Sequence, residues 1–136
     1  MANGLYAKFK ELLLGGDIDL AADNIKVVLV DTADYSVNLA THDFLDDVAA
    51  GGRVATSANL GSKSITGGVF DAGNVTFSAV TGDVSEALII YKDTGDAATS
   101  PLIAYIDTVT SGLPVTPNGG DITVTWDDGS SKIFSL

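Results

Sequence analysis

Ala87-Leu88-Ile89-Ile90-Tyr91 and Leu102-Ile103-Ala104-Tyr105-Ile106 are the two densest apolar runs of the chain, separated by the polar stretch Lys92-Asp93-Thr94-Gly95-Asp96-Ala97-Ala98-Thr99-Ser100. They read as two core strands and a connecting loop, with no pattern of reactive side chains. Ile25 to Val30 is a third such run, interrupted only by Lys26. It is too short for a typical helix and suits a strand covered on both faces.

Away from these runs the pattern changes. Leu5, Phe9, Leu12 and Leu13 fall at i, i+4, i+7 and i+8, and Gly15-Gly16 follows, so residues 3–14 are expected to form an amphipathic helix that covers one face of a sheet. Thr41 is placed to cap a short helix through Val48, with Asp43 in its first turn. Beyond Arg53, short strands alternate: Val75, Phe77 and Ala79 against Thr76 and Ser78, then Ile122, Val124 and Trp126 against Thr123 and Thr125. Asp127-Asp128-Gly129-Ser130 is expected to turn the chain into a hairpin with Lys132 to Leu136. Residues 51–73, rich in Gly, are open to two readings, a long mobile loop or projecting arm and a part of the sheet. The fold class expected is α+β, mainly β: one domain over 1–136, an N-terminal amphipathic helix followed by an antiparallel β-sandwich or small barrel.

The order of these pieces carries a resemblance. Ala2-Asn3-Gly4-Leu5-Tyr6-Ala7-Lys8-Phe9-Lys10 leads through Asp23 to Asp31 and Leu39 to Leu45. Val69-Phe70-Asp71-Ala72 and Val75-Thr76-Phe77 follow, then Glu86 to Thr108 and Leu113 to Gly129. This succession resembles a family of small virion proteins of tailed bacteriophages, with the opening pieces matching an entry helix, a first strand and a short helix. The resemblance implies a structural role in the particle and carries over no catalytic residue.

Composition bounds the reading independently. Among 136 residues there are 18 acidic and 7 basic ones, a formal net charge of −11, and every acid except Glu11 and Glu86 is Asp. A surface of that sign repels phosphate backbones, so no nucleic-acid partner is expected, and a virion component of this charge should face away from the packaged genome. The same charge also serves simply to keep a Gly-rich β-protein in solution. With no cysteine, disulfides and thiolate metal sites are excluded, leaving packing or association to stabilise the chain. No apolar run approaches the ~18 residues that span a bilayer, so no membrane partner is expected, and the first 30 residues show no export signal.

Each candidate for chemistry has a plainer reading. His42 is the sole histidine and is expected to sit in a first helical turn rather than in a catalytic or metal site. Asp17, Asp19 and Asp23, Asp93 and Asp96, and Asp127 and Asp128 could offer oxygens to Ca²⁺, yet none matches a spaced acidic loop closed by Glu, and turn formation accounts for them. Asp46 and Asp47, about 100° apart on a helix, are poorly placed to act together. Gly67-Gly68 and Gly119-Gly120 lack the Lys and helix start of a phosphate cradle and are expected to be turns. No catalytic residue, metal or cofactor is expected.

Contact surface is what remains. On the N-terminal helix, Leu5, Tyr6, Phe9 and Leu13 lie beside Lys8 and Lys10 and could bind a partner, or pack on the chain's own sheet. Open sheet edges, the missing disulfides and an apolar content of 46% motivate a homo-oligomer, with a trimer as the guess. The function expected is that of a non-enzymatic virion protein on the particle exterior, made in the host cytoplasm. It would be a capsid decoration or cement subunit whose partner is the major capsid protein or another virion subunit. A neck, tail or fibre subunit is the alternative within that class. From other classes come a carbohydrate- or Ca²⁺-binding module using Trp126, Tyr91 or Tyr105 for stacking, and a two-aspartate hydrolase.

Overall fold

The computed structural model describes residues 3–136. Its centre is a five-stranded antiparallel sheet in the order β1-β8-β7-β2-β3, formed by β1 (Gly4–Leu5), β2 (Ile25–Val30), β3 (Arg53–Thr56), β7 (Ala87–Lys92) and β8 (Leu102–Ile106). The three apolar runs are its three inner strands, and from Ala87 to Tyr91 and Leu102 to Ile106 every residue is buried. Register pairs Val28 with Ile89 and Ile89 with Tyr105, while Leu29 pairs with Leu88 and Leu88 with Ile106. Paired residues share a face, so each set lines one side of the sheet.

The two sides are covered by different segments. Gly4 shares the face of Tyr105, and a Cβ there would lie 2.5 Å from Leu39 Cδ1, which places the 31–52 segment over that side. Leu5 and Ile106, on the other side, line a common cavity with Ile133 and Phe134. Phe9, from α1 (Ala7–Leu14), meets Phe134 edge-on at 5.7 Å between ring centres. The amphipathic helix therefore packs on the sheet as its pattern requires.

Two smaller antiparallel sheets complete the domain. One is β10-β5-β4, from β4 (Ser64–Thr66), β5 (Val69–Asp71) and β10 (Phe134–Ser135); the other pairs β6 (Val75–Phe77) with β9 (Ile122–Val124). The architecture is mainly β with one N-terminal helix and antiparallel sheets that do not close into a barrel.

Three expected elements differ, and one open alternative is decided. The helix begins at Ala7 rather than at residue 3, because Gly4 and Leu5 are claimed by the edge of β8 and Tyr6 N–H donates to Ile103 O at 3.0 Å. Residues 41–48 form only a 3-10 turn at Leu45–Asp47, since Leu45 N–H is drawn to Ser100 O and Leu102 N–H to Asp43 O. Residues 51–73 are not an arm: Arg53–Thr56 joins the central sheet, and Ser64–Asp71 forms a hairpin about Gly67-Gly68, both at positive φ. The turn at Asp127 does not return the chain onto β9; Ile122–Val124 pairs with β6, and Phe134–Ser135 crosses to β5. The turns at Gly67-Gly68 and after Asp127 are local, while the strand partners beyond Asp127 come from distant sequence.

Candidate functional site

The N-terminal face divides into buried and open halves. Tyr6 and Phe9 are fully buried, so they are taken up by the chain's own core and offer no surface to a partner. Leu5 and Leu13 are half-buried against that core. Lys8 pairs with Glu11 at 3.1 Å and lies 5.8 Å over the Phe44 ring, while Lys10 is exposed. The exposed large apolar residue of the helix is Leu14, at 89%. Of the expected contact set, Lys8, Lys10 and the outer parts of Leu5 and Leu13 remain at the surface.

Burial of Tyr6 creates a polar chain that no local pattern announces. Asn38 N–H donates to His42 Nδ1 at 3.3 Å, which makes that nitrogen an acceptor; Tyr35 Oη then donates to it at 2.8 Å, and Tyr6 Oη to Tyr35 Oη at 2.9 Å. Burial, followed by the bond to Tyr35, pushes the Tyr6 phenol far up, and burial pushes Tyr35 up too. Both stay neutral donors. His42 thus ties the 36–42 loop to the strand-to-helix junction, 29 residues away in sequence from Tyr6 to Tyr35. The nearby Asp47 carboxylate accepts from Asp43 N–H at 2.8 Å, which holds Asp47 below the usual carboxylate range, while burial and the Asp47 carboxylate push Asp43 up.

The acidic loops are committed to turns and pairs. Asp19 Oδ1 accepts from Ala21 and Ala22 N–H, Asp96 Oδ1 from Ala98 N–H, and Asp127 Oδ1 from Gly129 N–H. Asp93 meets Lys26 at 2.8 Å and Asp23 meets Lys92 at 3.1 Å, and Asp128 pairs with Lys132. The Lys26 bond first, then Gly95 N–H, holds Asp93 low; burial works against ionised Asp23, but Asp19 N–H and Lys92 prevail and lower it. Asp17 offers its carbonyl, not its carboxylate, to Lys92.

Another acidic group was not foreseen. Asp31, Asp34 and Asp83 each present an oxygen within 4.8 Å of the others. These are the described residues whose donor chemistry would suit a divalent cation, although Asp31 Oδ1 already accepts from Ala33 N–H in its own turn. Asp83 is brought from beyond four intervening strands, which is why spacing could not find the group. The aromatic residues considered for sugar stacking are inward: Trp126 is 4% exposed and donates Nε1–H to Gly73 O at 3.0 Å, and Tyr91 and Tyr105 are equally buried. Trp126 is thus in the core as its alternation with Ile122 and Val124 requires, and none of the three is an open platform.

No family model matches the chain, and no curated protein matches it. The resemblance to phage virion proteins stands on the order of the sequence elements alone. Among the described residues no helix is long and apolar enough to cross a membrane.

Proposed function

We propose that the chain is a non-enzymatic bacteriophage virion protein, a capsid decoration or cement subunit held to the major capsid protein on the particle exterior. The observation that carries the reading is how the polar side chains are used. Loop carboxylates cap turns or pair with lysines, and the single histidine is bound into a tyrosine chain. The result is an acidic domain built without disulfides, and the resemblance in element order supplies the setting. A subunit that binds the assembled shell and not its free components shifts assembly toward the shell by mass action. Its acid exterior suits the outside of the particle, since charge of that sign repels the packaged genome.

Labelling of intact particles with gold-conjugated antibody tests the reading. Cement covers the whole head; label confined to one vertex or the tail would move the subunit to the neck, tail or fibre, and unlabelled particles would end the virion reading. Sedimentation equilibrium of the purified chain tests the trimer, which a mass of one chain would exclude.

A further inference from the structure

At the end of the central sheet where β2 leaves and β7 enters, a cleft of about 480 Å³ opens between Thr32, Glu86, Tyr105, Asp107, Thr108 and Pro114. Two acceptors face it with capacity to spare. Glu86 Oε1 receives Thr32 N–H at 3.2 Å, and no described residue donates to Oε2. Tyr105 is 4% exposed, and no hydrogen bond joins its hydroxyl to a described residue. Among described side chains only Arg53 Nε is both sealed from solvent and unpartnered, so the Tyr105 hydroxyl is not sealed; it opens on the cleft that its residue lines. A hydroxyl with no partner in its own chain, on a residue this buried, is free to accept from a group that enters the cleft.

The surrounding charge says what that is. Asp107 and Glu86 line the cleft and Asp31 precedes Thr32 in the chain, with no described lysine or arginine on the lining. Burial, then the Asp107 and Glu86 carboxylates, push the Tyr105 phenol up and keep it neutral. Such a field concentrates cations. We propose that this cleft is a socket for an arginine side chain of the neighbouring protein. A guanidinium is planar with five donors, enough to reach Glu86 Oε2, the Tyr105 oxygen and the Thr32 and Thr108 hydroxyls together, where an ammonium has three. Pro114 supplies an apolar wall for the methylene stem. The inference rests on the reading of the chain as a subunit held to other proteins, and names the chemistry of that contact.

The test is an NMR titration of the full chain with N-acetyl-arginine amide, set against N-acetyl-citrulline amide, which has the same shape without the charge, and against a monosaccharide panel. The arginine amide shifts the amides of Thr32, Glu86, Tyr105 and Thr108 with a Kd on the order of 1 mM, and citrulline binds at least about tenfold more weakly. Glu86→Gln keeps an acceptor for Thr32 N–H and weakens binding about thirtyfold, whereas Tyr105→Phe keeps the buried ring and weakens it about fivefold. The spectra themselves show that each variant is folded. Equal binding of arginine and citrulline, no shift at these amides, a sugar shifting them in place of arginine, or wild-type affinity in both variants overturns the socket. Co-sedimentation with particles separates the two readings: a chain that joins particles but ignores arginine loses only the socket, while one that takes arginine but never joins particles keeps the socket and loses the virion role.

Discussion

β7 and β8 bury every side chain from Ala87 to Tyr91 and from Leu102 to Ile106, whereas β4 buries none of its three and β9 buries two of three about exposed Thr123. The central sheet is thus stabilised by two apolar layers at once, each residue contributing its transfer from water and close packing on both sides. The outer sheets have strands of two or three residues and depend on a few anchors: Phe134 stacked on Phe70, Trp126 bonded to Gly73, and the tight approach at Gly112. Redundancy in the centre and single contacts at the periphery imply different failures. A central lesion should lower the stability of the whole chain, and a peripheral one should first release its own sheet.

The largest expected effect is Ile90→Ala, at a position with no exposure and paired to both Val27 and Ala104. It should cost about 4 kcal/mol in urea unfolding, with all amides losing protection together. Phe134→Ala should cost about 3 kcal/mol and remove the contacts with Phe9 and Phe70. Hydrogen exchange should then quicken at Ile133 and Leu136, whose N–H groups bond to Phe70 O and Gly68 O, before it changes in β7. Equal quickening in β7 would show that the small sheet is not a separate unit. Gly112→Ala comes next at about 2 kcal/mol. Its φ of +110° is foreign to Ala, and the added Cβ would lie 2.8 Å from Thr123 O, so the loss should appear as faster exchange at Thr125, whose N–H bonds to Ser111 O.

The same contrast explains what could be read from sequence. A strand buried on both faces announces itself by an unbroken apolar run, so Ile25–Val30, Ala87–Tyr91 and Leu102–Ile106 were legible as core strands, and the loop between the last two was legible as their link. Alternation likewise revealed β6 and β9 as strands and Trp126 as inward. Pairing of short strands carries no local mark. β6 and β9 join across 47 residues between Thr76 and Thr123, and β10 passes over its neighbour in sequence to reach β5. The helix start failed for a related reason: Gly4-Leu5 fits an amphipathic pattern, but backbone groups at the edge of β8 competed for it. On the candidate site, the residue types of the N-terminal face were visible while their division into buried and open halves was not. The Asp31, Asp34 and Asp83 group and the Tyr6, Tyr35 and His42 chain each need two segments distant in sequence to meet.

The smallest expected effect concerns the end of the central sheet opposite the cleft, where two lysines pair with two aspartates. Lys26 and Lys92 hold Asp93 and Asp23, and both carboxyls titrate below their ordinary range. A carboxyl whose folded pKa is depressed contributes its stability fully above the unfolded value of about 3.9, and loses it as pH falls through the lower folded value. Stability should therefore fall on acidification from about pH 4 downward. Replacing Lys26 with Met should lower stability at pH 7 by under about 1 kcal/mol, because both partners are partly exposed and screened by solvent. The deficit should shrink as pH falls through the lowered folded value of Asp93, since a protonated Asp93 has no ion pair left to lose. Urea midpoints across that range decide it. Parallel curves for the two chains would mean that the pair at this end is as marginal as an ordinary surface contact, and that the sheet's apolar layers alone set its acid tolerance.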